Sequence, residues 1–94
     1  MSATQPINNK NDLTRFRNYY KEEELKPRNY ALIVMGLNSA LRIGDILSLR
    51  WEDVRRESAY RRHIWIREQK TGKDNMFPVN PMMVEALEFY RHYL

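Results

Sequence analysis

The stretch Ser39-Ala40-Leu41-Arg42-Ile43-Gly44-Asp45-Ile46-Leu47-Ser48-Leu49-Arg50-Trp51-Glu52-Asp53-Val54 sets an arginine and an aspartate inside an otherwise apolar, helix-like run. A charge among apolar neighbours is costly to desolvate, so its presence there points to a role beyond packing. Further along, His63-Ile64-Trp65-Ile66 alternates as a strand does. It leads through Gln69-Lys70-Thr71-Gly72-Lys73 to Met76-Phe77-Pro78-Val79, the pattern of a hairpin with lysine at its tip. A helical arginine followed by a hairpin lysine suits chemistry on a phosphodiester.

Working outward, residues 1–11 are polar, with Pro6 discouraging a helix, and read as a flexible leader. Asp12 is placed to cap a first helix whose Leu13, Phe16 and Tyr20 share one side. Pro27 suits the first turn of a second helix, with Tyr30, Ile33, Val34, Leu37 and Leu41 as its inner stripe and Ala31, Leu32 and Met35 widening it. Gly36 and Asn38-Ser39 weaken helix propensity, so a break is expected near residues 38–40 and a short helix over residues 41–49, which puts Arg42 at a helix start. Residues 55–62 are charged and read as a turn or exposed edge. Asn80 caps a last helix beginning at Pro81, with Val84 and Leu87 on one side and Met83, Tyr90 and Leu94 on the neighbouring stripe. The expected fold class is α+β, mainly α: a helix cluster with a small antiparallel β-hairpin or three-stranded sheet at its edge.

Ninety-four residues make one small domain at most. Sixteen Lys and Arg against twelve Asp and Glu give a net charge of +4, and the pI near 9.6 is compatible with an anionic partner. There is no cysteine, and the two histidines have no second ligand at helical or turn spacing, so neither a disulfide nor a metal site is expected. The amino terminus lacks the pattern of a signal peptide, and no apolar run approaches the ~20 residues of a membrane span. The expected address is the cytoplasm, with no membrane partner.

The segment from Ser39 to Val54, followed by Gln69-Lys70-Thr71-Gly72-Lys73 and Pro78-Val79, resembles the amino-terminal half of the catalytic domain of the tyrosine recombinase (phage integrase) family. The family's pattern is a Thr or Ser, a small residue, Leu, Arg, an apolar residue, a small residue, an acid and then a Leu-rich helix. Ala40 stands where Gly is commoner. The resemblance covers roughly residues 25–94, and residues 12–94 are read as a truncated catalytic domain. It implies that Arg42 is the first active-site arginine, Asp45 the acid that supports it and Lys70 the lysine of the hairpin tip. It also implies DNA integration and recombination through a covalent phosphotyrosine, with double-stranded DNA as partner and no cofactor.

The roles fit the chemistry. A guanidinium holds two non-bridging oxygens at once, a carboxylate one helical turn on can fix its rotamer, and an ammonium can protonate the leaving 5′ oxygen. The family's His-x-x-Arg pair and attacking tyrosine cannot be placed here: His63 is not followed by an arginine three residues on, and Tyr90 and Tyr93 come too early. The chain alone is therefore expected to be inactive.

Each signal has a plainer reading. Arg42 and Asp45 taken alone are better read as a local helix ion pair, and only the flanking motif reverses that. Lys70 is favoured over Lys73 by its place before Thr-Gly. Arg55, Arg56, Arg61 and Arg62 read equally well as a solvated edge or as phosphate contacts, so Arg55, Arg56 and Lys73 are taken as DNA-backbone candidates. Trp51 reads as a core anchor, and Trp65, Tyr60 and Phe77 as packing rather than base stacking. A non-catalytic DNA-binding or regulatory module derived from an integrase is the alternative function. A helical interaction domain that docks a partner through Phe89-Tyr90-Tyr93-Leu94 is the third. With half of the domain absent, apolar surface on the second and last helices is expected to be exposed, or covered by a second copy of the chain or the missing carboxyl-terminal half.

Overall fold

The computed structural model describes residues 10–39, 41–68 and 70–94. Its elements in order are α1 (Lys10–Asn18), a π-helical segment (Tyr19–Glu23), α2 (Pro27–Ser39), α3 (Ile43–Leu47), α4 (Trp51–Val54), β1 (Arg55–Arg56), β2 (Ala59–Tyr60), β3 (His63–Arg67), β4 (Asp74–Pro78) and α5 (Pro81–His92). The architecture is mainly α, with two antiparallel strand pairs. These are separate two-stranded ribbons, β1–β2 and β3–β4, rather than one three-stranded sheet. The leader's residues 1–9 lie outside the described residues, and Lys10 and Asn11 already belong to α1, so Asp12 sits within that helix instead of capping it.

The two long helices α2 and α5 form the backbone of the packing. Tyr30 and Val34 of α2 meet Ala86 of α5, joined by half-buried Tyr20 and Phe89, and the Tyr30 and Phe89 rings meet edge to face at 5.4 Å. At the far end of α2 the helix is stopped by its own side chains: Ser39 Oγ donates to the Met35 carbonyl at 2.6 Å, and Asn38 Nδ2 to the Val34 carbonyl at 2.8 Å. Such side-chain bonds compete with continuing helix. Asn38 Oδ1 then accepts from Asn80 Nδ2 at 2.8 Å, while Asn80 Oδ1 accepts from the Met83 N–H at 2.9 Å. The cap of α5 is thus tied to the end of α2 through two amides.

The larger core lies where α2, α3, α4, the β3–β4 hairpin and α5 meet. Ile64 and Ile66 point inward from β3 and Phe77 from β4, against Met35, Ile46, Val54, Met83 and Leu87. The register pairs Ile64 with Phe77 and Trp65 with Met76, so alternation sends the Trp65–Met76 pair to the outer face. Trp65 is 67% exposed. The expectation that it packs with Tyr60 and Phe77 therefore fails for Trp65, because the isoleucines on either side of it take the inner face. The inner stripe of α2 is also rotated from the expected one: Tyr30, Ala31, Val34 and Met35 are buried, Leu37 is exposed and Ile33 half-buried. Leu94, expected on the inner stripe of α5, is exposed.

Residues 55–62, read as a turn or edge, contain the small β1–β2 ribbon, pairing Arg55 with Tyr60 and Arg56 with Ala59. It turns at Glu57, whose φ of 58° is one that L-residues seldom adopt. The ribbon is pinned to α5 by a polar cluster. Tyr60 Oη donates to Glu88 Oε1 at 2.8 Å, and Arg91 donates to both Glu88 oxygens at 2.7 and 3.3 Å. The Arg91 bonds, and then the Tyr60 bond, hold the Glu88 carboxyl down at about 2, while burial and the Glu88 bond push the Tyr60 hydroxyl up to about 12.

The pinning cluster gives a pH signature at both ends. Glu88 has a depressed carboxyl, so its stabilisation is complete above the ordinary carboxylate range and is lost as pH falls from about 4.5 towards about 2. Tyr60 has a raised hydroxyl, so its share is complete below pH 10 and is lost as pH rises from 10 towards about 12. In urea unfolding against pH, Glu88→Gln is expected to flatten the acid limb. An acid limb unchanged in the variant contradicts the assignment. Asn80→Ala is expected to lower the unfolding free energy by about 1–2 kcal/mol, and Asn80→Asp, which keeps the cap acceptor, by less.

Candidate functional site

The sequence places Arg42 between two local constraints. On one side Ser39 Oγ accepts from the Leu41 N–H at 3.3 Å. On the other, Arg42 is the extended residue that starts α3 (φ −73°, ψ 150°), and its carbonyl accepts from the N–H groups of Asp45 and Ile46 at 3.0 and 3.1 Å. Leu41 is half-buried against the larger core and Ile46 is 5% exposed, so the helix is anchored on both sides of the arginine, whose side chain is left in solvent. Asp45 is 4% exposed, the buried charged side chain among the described residues. It lies in the first turn of α3, where unsatisfied backbone N–H groups favour negative charge. Ser48 Oγ closes the other end of the helix on the Asp45 carbonyl at 2.7 Å.

Lys70 sits exposed in the β3–β4 turn. That turn has a scaffold of its own. The Glu68 N–H donates to the Lys73 carbonyl and the Gly72 N–H to the Glu68 carbonyl, both at 2.8 Å. The Glu68 carboxylate accepts from Thr71 Oγ1 at 2.8 Å and from Asn75 Nδ2 at 3.3 Å. Gly72 has φ +69°, so the Thr-Gly-Lys order meets a backbone requirement of the turn. Sequence reasoning passed over Glu68, although an acid two residues before the candidate lysine, with Thr and Asn within reach, was a readable signal. Gln69 and Ala40 lie outside the described residues.

The structure brings α3 and the hairpin into one core, through Ile46 and Ile66, and leaves Arg42 and Lys70 both in solvent. The DNA-backbone candidates divide. Arg56 and Lys73 are exposed. Arg55 is turned into the protein: its guanidinium lies over the Tyr60 ring at 5.6 Å, Nη1 donates to the Glu57 carbonyl at 2.9 Å, and the buried Nε stands 4.0 Å from Glu88 Oε1 without a hydrogen bond. Arg61 Nε donates to the Glu52 carbonyl at 3.0 Å. The α3–α4 turn is held by Asp53 Oδ2, which accepts from the Arg50 N–H at 2.8 Å.

Trp51 is half-buried and stacks obliquely on Tyr90 at 5.5 Å. With Leu32, Met35, Leu49 and Leu87 these rings line an apolar hollow of about 150 Å³, to which neither Arg42 nor Lys70 contributes. Among the described residues no group of His, Cys, Asp and Glu has the arrangement of a metal site, and no helix is long and apolar enough to cross a membrane.

Comparison with known proteins gives this geometry its context. The family model described as Phage integrase family matches residues 8–94. The chain is 37% identical over 73 residues to a Bacillus subtilis (strain 168) protein named probable integrase/recombinase YoeC, covering 78% of this chain and 37% of that protein. The chain therefore spans little more than a third of the length of this relative. No solved structure gives a significant match. Arg42 at the start of a core-anchored helix, Lys70 on a hairpin packed into the same core, and a family match over almost the whole chain lead to one conclusion: the chain belongs to the phage integrase family of tyrosine recombinases.

Proposed function

We propose that this chain is part of the catalytic domain of a site-specific DNA recombinase, residues 12–94 supplying the first arginine and the hairpin lysine of a site that cuts and rejoins duplex DNA. The observation that carries the reading is the placement of Arg42. It is an exposed guanidinium on a helix start anchored by half-buried Leu41 before it and buried Ile46 after it. A guanidinium carried on an anchored backbone can take two non-bridging oxygens of a phosphodiester at once, from a start that confines where it can reach. Asp45, buried one turn further on, supports that orientation.

In this reading a tyrosinate oxygen, its proton already given to a base and its residue neither Tyr90 nor Tyr93, attacks phosphorus as the bond to the 5′ oxygen breaks. Lys70 gives its proton to the departing oxygen, and Arg42 holds the charge that gathers on the non-bridging oxygens. The phosphotyrosine conserves the energy of the broken ester, so rejoining needs no nucleotide. Exposed Arg56 and Lys73 add sequence-independent backbone contacts. Arg55, occupied by Tyr60 and Glu57, contributes to the shape of the β1–β2 ribbon more than to DNA affinity.

Binding of a labelled duplex measured across salt concentrations tests this directly. The chain is expected to bind with an affinity that falls steeply as salt rises, and Arg42→Ala, Lys70→Ala and Lys73→Ala are each expected to lower the log–log salt slope by about one. Arg55→Ala is expected to leave the slope unchanged. Salt-independent binding, or a slope unmoved by Arg42→Ala, contradicts the reading. No covalent protein–DNA adduct is expected from these 94 residues, and trapping one would place the nucleophile within them.

A further inference from the structure

The outer face of the β3–β4 hairpin carries a feature that the proposed chemistry does not use. Trp65 is 67% exposed and its cross-strand partner Met76 is 46% exposed. An indole left largely in water beside a second apolar side chain is a candidate contact surface. The same hairpin carries exposed Arg62 just before β3, Arg67 at its end, and Lys70 and Lys73 in the turn, against Glu68 and Asp74. Glu68 is turned to Thr71 and Asn75, and Asp74 pairs with Arg67 at 3.2 Å. Trp65 also forms one wall of a shallow cleft whose other side is Ser48, Arg50 and Asp53, at the end of α3 opposite Arg42. A helix of five residues separates the two ends by only about 7.5 Å.

We propose that Trp65, flanked by Met76, is a DNA contact: its ring lies against a deoxyribose of the duplex backbone while the hairpin cations meet the neighbouring phosphates. An apolar ring on a hairpin that carries more cations than acids fits a polymer that alternates sugar and phosphate. Two side chains are far too small a patch for a stable protein interface, which buries roughly 1,200–2,000 Å². The inference rests on the DNA-binding part of the reading above and needs neither the role given to Arg42 nor the proton transfer given to Lys70.

The chain has two tryptophans, and Trp51 is half-buried, so Trp65 dominates the solvent-exposed emission. Titration with a short duplex at low salt is expected to quench that emission and shift it to the blue. Trp65→Ala is expected to weaken binding about tenfold, the order of one lost ring contact, with an unchanged salt slope and an unchanged circular dichroism spectrum. Trp65→Phe, which keeps a ring, is expected to retain most of the affinity and lose the optical signal. If the wild type binds DNA by anisotropy without any change in tryptophan emission, or Trp65→Ala binds as tightly as wild type, the proposal fails while the DNA-binding reading stands. Absence of DNA binding at low salt overturns both. Concentration-dependent self-association abolished by Trp65→Ala, with DNA affinity unchanged, would give the face to a second copy and overturn the proposal.

Discussion

The structure depends on the burial of the hairpin's inner face. Ile64, Ile66 and Phe77 enter the same apolar cluster as Met35 of α2, Ile46 of α3, Val54 of α4, and Met83 and Leu87 of α5. Fully burying side chains of this size is worth about 1.5–3 kcal/mol each, which matters greatly to a domain of 94 residues. The same burial relates the start of α3 to the hairpin turn. Neither α3, with five residues, nor the two-stranded hairpin would be stable alone. Each is held by the other and by the α2–α5 pair, so the candidate cation on each is carried by a shared core.

Polar groups refine this arrangement. The amides of Asn38 and Asn80 couple the end of α2 to the cap of α5, next to the chain's exit from β4. The Glu68 carboxylate ties the hairpin turn to Thr71 and Asn75, and Gly72 supplies a positive φ among the turn's described residues. The Arg67–Asp74 pair at the mouth of the hairpin has both side chains mostly in water and adds little stability.

Much of this was legible in the sequence where the signals are local. Pro27 and the Asn80-Pro81 cap mark helix starts through chemistry confined to a few residues, and both occur as expected. The Asn38-Ser39 break was readable for the same reason, and so was the placement of Arg42 at the head of a new helix. The rotation of α2 was not, because that helix is apolar almost all round and periodicity cannot choose between Leu37 and Met35 for the inside. The β1–β2 ribbon carries no Gly or Asn at its turn, and Glu57 accepts a strained φ there, so nothing announced a hairpin. Trp65 is different: alternation with Ile64 and Ile66 already required it to face outward, and bulk was allowed to outweigh period. For the candidate site, residue types and order were visible, whereas the inward turn of Arg55 depends on Tyr60 and Glu88, contacts that only the fold creates.

The central claim is that Arg42 and Lys70 serve one phosphate-bearing surface. Its most direct test is an amide NMR titration of the labelled chain with a short DNA duplex, following Arg42, Lys70 and their neighbours. The account predicts that both regions shift together, on one binding isotherm, while α1 stays unmoved. Shifts confined to one of the two regions, or saturating at different DNA concentrations, would contradict it.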